Sequence, residues 1–403
     1  MIVGTGHAGS ATALQLRQLG FSGSIALVGA EREPPYERPP LSKDYLAGSR
    51  GFEQILVRPE AFWAERAIAV ITGVEVTAIE PAARRATAAD GRGFVYSDLV
   101  WTAGGHARPL PCAPAGLGGV HAIRSRADVD ALRAELEPGQ RWVIVGGGYI
   151  GLEAAAVLST LGVAVTLVES APRLLARVSA DPLASFVADE HRARGIDLRL
   201  ATDVVGLEGD ARVTGVRLGT GETVPADGVI VGIGLIPNVA ALLAAGADGS
   251  EQGVAVDGDG RTSLPHIWAA GDCTLARNAF GPDRPIRIES VGNAADGAAA
   301  IARAIVGAPH VPVAPPWFWS NQYDLKLQTV GLSHDHDEII VRGDPATRRF
   351  ALLYRRDGAV IAADCVNNVR DYVQSRGLIT SRRTFDPIAL ADPDIPLKSL
   401  LEP

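Results

Sequence analysis

The sequence predicts an α/β protein: two Rossmann-like nucleotide-binding domains, followed by a small α+β C-terminal domain. Three observations carry that prediction. Gly4-Thr5-Gly6-His7-Ala8-Gly9 and Gly146-Gly147-Gly148-Tyr149-Ile150-Gly151 share the spacing Gly-x-Gly-x-x-Gly. Each leads from an apolar run into a helical stretch and then a second apolar run, the pattern of a βαβ unit. Near the C-terminus, short apolar runs with no helical periodicity between them read as antiparallel strands.

The glycine spacing has a physical purpose. The first glycine makes the tight strand-to-helix turn and the second lets backbone approach a pyrophosphate. The third packs the helix on the sheet, so its N-terminal N–H groups and positive dipole end face the anion. In the first unit only Met1, Ile2 and Val3 precede Gly4, fewer than the usual strand of about 5 residues. That strand is clipped, or residues precede Met1. Aligning the units on Gly20 and Gly162 brings Gly29 opposite Glu169, which displaces the acidic candidate to Glu31. Glu31 reaches a ribose or is simply solvated, and the sequence leaves both open.

The second unit is more complete. Trp142-Val143-Ile144-Val145 reads as a buried parallel strand, Leu152 to Leu161 as a helix ended by Gly162, and Val163 to Val168 as the next strand. Glu169 closes that strand about 20 residues after the glycine turn. A carboxylate there accepts hydrogen bonds from both ribose hydroxyls of NAD and repels the 2′-phosphate of NADP.

Between the units lies Pro35-Tyr36-Glu37-Arg38-Pro39-Pro40-Leu41-Ser42-Lys43, on the edge where ligands bind such a sheet. The prolines favour an extended path into a helix near Leu41-Ser42, with Ser42 as its cap. Val229 to Ala247 is the most apolar run, but Gly232, Gly234 and Pro237 divide it into strand, turn and helix. Prolines 309, 312, 315 and 316 mark a linker. Beyond it, residues 326–330, 338–342, 350–354 and 360–366 read as strands, 371–375 as helix and 386–403 as irregular. Trp317-Phe318-Trp319 reads as a docking wedge after the linker.

Composition excludes several classes. A chain of 403 residues with 47% hydrophobic residues and 45 glycines suits layered α/β domains. No stretch of about 20 residues is free of charge and breakers, so no membrane span is expected. With a net charge of −8 spread along the chain, nucleic acid is not an expected partner. Cys112, Cys273 and Cys365 are far apart, with no redox pair and no zinc spacing, and Cys365 in its apolar run reads as a buried inert thiol. His334 and His336 alternate as on a turn, with no third ligand, and read as a solvated loop; no metal site is expected.

Over nearly its whole length the chain resembles the NADH-dependent, FAD-containing ferredoxin reductases that serve bacterial cytochromes P450 and aromatic-ring dioxygenases, within the glutathione-reductase-like superfamily. The matching stretches are Gly4 to Gly9, Pro35 to Lys43, Gly146 to Glu153, Ala269 to Cys273, Glu289 to Ala294 and Trp317 to Asp324. The resemblance implies an FAD-binding domain from 1–111 and 233–309, an NAD-binding domain at 112–232 and a C-terminal α+β domain at 310–403. For FAD it implies Gly4, Gly6, Ala8, Gly9, Ala30, Glu31, Arg38, Lys43, Val76, Ala103, Gly104, Arg124, Asp272 and Val291. For NAD it implies Gly146, Gly148, Ile150, Gly151 and Glu169. Lys43 and Glu153 would pair beside the flavin ring, and Trp319 would lie near it where a ferredoxin docks.

The implied activity is hydride transfer from NADH to FAD, then single electrons to a [2Fe–2S] ferredoxin that feeds a P450 or ring-hydroxylating oxygenase in the cytoplasm. An NADH oxidase or peroxidase and a redox-switched binding protein of apoptosis-inducing-factor type are the alternatives. The chain departs from the family at Ala30, where an acid is common. It departs again at Thr102-Ala103-Gly104, where the family has Ala-Thr-Gly.

Overall fold

The computed structural model describes residues 1–114 and 116–402; Ala115 and Pro403, which fall within the expected 112–232 and 310–403 domains, lie outside the described residues. The chain forms two compact units. One comprises Met1–Arg38, Phe52–His106 and Ile236–Phe318, the other Pro39–Gly51, Ala107–Leu235 and Trp319–Pro403. The loop that carries Lys43 therefore groups with the second unit.

The first unit is built on a parallel sheet in the order Ile267–Ala269, Leu99–Trp101, Ile2–Val3, Ile25–Val28, Ile68–Ile71. Both faces are covered, so Leu27, Val28 and Leu99 are fully buried and the strands are short apolar runs. Helix His7–Gln18 packs with helix Val291–Val306 on this sheet. At Gly271 a Cβ would stand 3.3 Å from Cβ of Ala8, so a glycine there lets the strand end approach the first motif.

The second unit repeats the plan with Asp197–Arg199, Ala164–Val168, Arg141–Val145, Gly228–Val231 and Val120–His121. Trp142 to Val145 are all buried, as a strand covered on both faces requires. It also carries a three-stranded antiparallel sheet, Val204–Glu208, Gly215–Leu218 and Thr223–Pro225, and a five-stranded antiparallel one in the order Trp317–Gln322, Leu325–Gly331, Ala359–Val366, Arg349–Arg356, Glu338–Asp344.

Two expectations need correction here. Trp317 to Trp319 do not form an isolated wedge but begin a strand of that sheet. The tail from 386 is not irregular throughout, since it contains helix Pro387–Ala391 and a 3₁₀ turn at Leu397–Leu401. Arg342 supplies the reason. Fully buried, it pairs with Asp371 at 2.8 Å on helix Val369–Ser381 and donates to the carbonyls of Leu390 and Ile395. Desolvating that guanidinium is tolerable only when its donors are met, and the tail meets them. Among the described residues no helix is long and apolar enough to cross a membrane.

Candidate functional site: two glycine turns and a buried ion pair

The two glycine motifs end their strands with nearly the same geometry. Gly4 has φ +105° and Gly146 φ +112°, a region side chains rarely adopt. A Cβ on Gly4 would stand 2.2 Å from the Thr102 carbonyl oxygen, and one on Gly146 2.4 Å from that of Gly232. Likewise a Cβ on Gly9 would meet the Gly4 oxygen at 1.9 Å, and on Gly151 the Gly146 oxygen at 2.1 Å. The first and third glycines are therefore required by packing.

The second glycine of each motif differs. Gly6 and Gly148 are the helix N-caps, both in extended backbone, and no side chain caps either helix. A Cβ on Gly148 would meet nothing within 4 Å, and one on Gly6 only the Arg38 guanidinium, at 3.8 Å or more. Each helix N-terminus thus opens onto space a Cβ would enter, with N–H groups directed there. That is the shape and chemistry of a pyrophosphate site, so the residues present fit the dinucleotides that the motifs imply.

Around the first turn the charges are paired. Glu31 binds Arg38 at 2.5 Å and accepts the Tyr36 hydroxyl, so it is neither simply solvated nor solely a ribose acceptor. Burial opposes the Arg38 charge, but Tyr36, Glu31 and Asp272 outweigh it and raise its pKa. Asp272 follows strand Ile267–Ala269, and Val76 opens strand Val76–Glu80, paired with Ala88. Ala30 follows strand Ile25–Val28 by two residues, at an exposed position. Ala103 and Gly104 follow Leu99–Trp101. The hydroxyl displaced in this chain, on Thr102, donates to the carbonyls of Val3 at 2.8 Å and Gly4 at 3.1 Å, bracing the first turn from within. Val291 is the first residue of helix Val291–Val306, capped by Ser290, whose hydroxyl accepts from the Asn293 N–H. The Trp317 indole lies over Gly292, where a Cβ would come within 2.7 Å of Nε1.

At the second turn the acid is held differently. Glu169 accepts from the backbone N–H of Gly147 at 2.6 Å and of Ala171 at 2.8 Å, which fixes both oxygens beside the glycine turn. Ile150 is exposed on the helix that starts there. Arg124 immediately precedes Ser125, the N-cap of helix Arg126–Glu135.

The remaining candidates meet at Glu153, buried on helix Tyr149–Thr160. Lys43 Nζ lies 2.6 Å from its Oε2, and the Ser42 hydroxyl donates to the same oxygen at 2.5 Å. Ser42 therefore does not cap a helix; Pro39–Ser42 is a 3₁₀ turn whose last hydroxyl is spent on the carboxylate. Ser320 donates to Oε1 at 2.6 Å. Burial pushes the Glu153 carboxyl up, and Lys43, Ser320 and Ser42 restrain that rise by favouring the anion. Ser42, Ser320 and Tyr36 lie inside the matching stretches Pro35 to Lys43 and Trp317 to Asp324, but nothing in the sequence names the carboxylates they bind. Trp319 stands one residue before Ser320 on the same strand.

All three cysteines are free thiols. Cys273 and Cys365 are buried; burial pushes the Cys273 thiol up to about 12 and Cys365 well above its ordinary value, so neither supplies a thiolate. His334 and His336 lie in an exposed loop.

Comparison with known proteins agrees with this geometry. Residues 1–298 match the pyridine nucleotide-disulphide oxidoreductase family and residues 317–401 the reductase C-terminal family. A ferredoxin–NAD(P)(+) reductase of Sphingomonas sp. is 53% identical, over 100% of this chain and 97% of its own length. The ferredoxin reductase subunit of a 5,5′-dehydrodivanillate O-demethylase from Sphingobium sp. is 52% identical, over 99% and 97%. The reductase in a covalent putidaredoxin reductase–putidaredoxin complex superposes with a TM-score of 0.96 at 40% identity, covering 99% of this chain and 97% of that one. With its paired glycine turns and a C-terminal reductase segment, this chain belongs to the pyridine nucleotide-disulphide oxidoreductase family.

Proposed function

We propose that this protein is an NADH-dependent ferredoxin reductase that supplies single electrons, through a [2Fe–2S] ferredoxin, to a P450 or ring-hydroxylating oxygenase. The observation that carries the reading is the pair of equivalent glycine turns, one facing Arg38 and the other bordered by Glu169. Two relatives are named as ferredoxin reductases, one of them a subunit of an O-demethylase, and a third was solved in covalent complex with putidaredoxin, which supports a ferredoxin as the acceptor. Bound FAD supplies acceptance of a hydride and release of electrons one at a time, chemistry that belongs to the cofactor.

The protein's own part is binding, orientation and charge. We assign FAD to 1–111 with 233–309 and NADH to 112–232. The first turn and Arg38 hold the FAD pyrophosphate, while Asp272 and the N-terminus of helix Val291–Val306 meet the rest of it. Gly148 admits the NADH pyrophosphate to its helix N-terminus, and Glu169 accepts from the adenosine ribose and disfavours a 2′-phosphate. Lys43 and Glu153 are the charged pair assigned beside the flavin ring, and Trp319 the aromatic assigned to the docking side. With only free thiols, two of them buried, electrons leave without a protein disulfide; the same thiols suit the reducing cytoplasm.

The test is NADH-driven cytochrome c reduction by FAD-loaded protein, with and without a small [2Fe–2S] ferredoxin. Strong stimulation by the ferredoxin, absent with NADPH, is expected. Equal rates without ferredoxin, with peroxide formed in proportion to NADH, would mark an oxidase instead.

A further inference from the structure

Glu153 is the end of a longer buried chain. Its Oε1 accepts from Ser320 Oγ at 2.6 Å, and Ser320 Oγ lies 3.2 Å from Gln322 Nε2. Gln322 Oε1 lies 2.9 Å from Nε2 of His191, on helix Asp181–Ala193, and the Tyr323 hydroxyl is 3.5 Å from the other ring nitrogen. Ser320, Gln322 and His191 are each 0% exposed, and Glu153 is 3% exposed. None of the three belongs to the nucleotide sites proposed above.

The direction of every proton follows from one end. An ionised carboxylate is acceptor-only, so Ser320 must donate to it. Its single hydrogen is then used, and Ser320 can only accept from Gln322. That fixes the amide with its oxygen toward His191, which must donate from Nε2. Alternation of Ser320 and Gln322 along strand Trp317–Gln322 points both inward, so one strand supplies two consecutive links. We infer that His191, Gln322 and Ser320 are positioning residues: a one-way chain of donors that orients the Glu153 carboxylate and keeps it charged against Lys43.

The chain is not a proton wire. A proton could cross Gln322 only by converting its amide to the imidic acid, whereas polarisation passes through it with no bond broken. Its role is to strengthen the last hydrogen bond, the charge-assisted one on Glu153. The charged and titratable groups facing Glu153 are Lys43 and Tyr149; those facing His191 are Arg194, Glu190 and Tyr323. Burial lowers the His191 pKa, which keeps the ring neutral at pH 7, with one nitrogen donating and one accepting as the chain requires.

The inference rests on the reading of Lys43 and Glu153 as a functional pair, and the test separates the two. Full-length FAD-loaded protein carrying ¹³C-labelled glutamate is titrated by infrared spectroscopy, with the Glu153 band identified by its loss in Glu153→Gln. Ser320→Ala, Gln322→Leu and His191→Phe should raise the Glu153 midpoint in that falling order, the first by about one pH unit. His191→Gln, which keeps a donor toward Gln322, should reverse most of the shift seen in His191→Phe. Ser320→Ala removes little volume and keeps the test available if the larger changes prevent folding. An unmoved midpoint in folded Ser320→Ala and Gln322→Leu overturns the inference, even if NADH reduces the flavin more slowly. A raised midpoint with unchanged flavin reduction by NADH supports the chain and removes Glu153 from the flavin-side role.

Discussion

The two glycine turns share their backbone conformation at the first and second glycines and differ in electrostatics. At the first, Arg38 stands over the opening at Gly6, with Glu31, Tyr36 and Asp272 arranged around it. At the second, nothing comes within 4 Å of a Cβ on Gly148, and a carboxylate, Glu169, is fixed against the adjacent Gly147. A helix N-terminus alone offers roughly half a positive charge, enough to favour a pyrophosphate without trapping it. Adding a guanidinium makes bidentate, charge-assisted contacts available and lengthens residence. The contrast suits a resident cofactor on the first turn and a nucleotide that must leave every turnover on the second. Fold sets where a dinucleotide goes; the neighbouring charges set how long it stays.

The largest effect should come from what the turns share. Gly4→Ala and Gly146→Ala each force a side chain into left-handed backbone and against a carbonyl oxygen at 2.2 or 2.4 Å. Backbone strain alone costs about 1–3 kcal/mol, and the clash adds to it. Urea unfolding should show losses of about 3 kcal/mol or more in both, and Gly4→Ala should also lose its flavin absorbance on gel filtration. A wild-type midpoint in either would mean that the turn relaxes and that the glycine is not needed there.

Gly148→Ala should separate folding from binding. The residue is an N-cap in extended backbone with room for a Cβ, so the fold should lose no more than about 1 kcal/mol. On the proposed assignment the methyl group enters the pyrophosphate position, and NADH affinity should fall by roughly 30-fold or more in equilibrium titration, about 2 kcal/mol. Gly6→Ala is the matched change on the first turn and should show as released FAD. An unchanged NADH dissociation constant in Gly148→Ala would break the equivalence of the turns.

How much of this was readable beforehand divides along physical lines. Glycine turns, the acid after the second strand and the strands of residues 326–366 depend on local spacing, and the sequence states local spacing directly. Three features depend on contacts between residues remote in sequence. Ser42 reads as a helix cap until Glu153 is beside it. Trp317 to Trp319 reads as a wedge because three aromatics hide the strand alternation that continues to Gln322 and makes Ser320 and Gln322 buried. The ordered tail depends on Arg342, whose sequence context is that of an ordinary strand residue. Thr102 was readable as a departure, but its purpose, bracing the first turn, appears only when Val3 and Gly4 lie beside it.

Glu169→Ala addresses the feature peculiar to the second turn. On the proposed assignment it removes the ribose acceptor and the charge that opposes a 2′-phosphate, each about 1–1.5 kcal/mol. NADH should bind roughly tenfold more weakly, and the preference for NADH over NADPH should shrink by about a factor of ten. If discrimination survives in steady-state kcat/KM for the two nucleotides, another residue selects against the phosphate.

The smallest effect is expected at Glu31, although it pairs with Arg38 at 2.5 Å. Arg38 and Glu31 side chains are 24% and 27% exposed, so water screens the pair, and such pairs contribute about 0–1 kcal/mol. Arg38 also keeps Tyr36 and Asp272 as neighbours when Glu31 is neutralised. Glu31→Gln should therefore weaken FAD binding by no more than about fivefold in fluorescence titration of the apoprotein. A loss much beyond fivefold would show Glu31 itself holding the cofactor. The two turns would then each depend on an acid of their own, and Arg38 would cease to be what distinguishes the first.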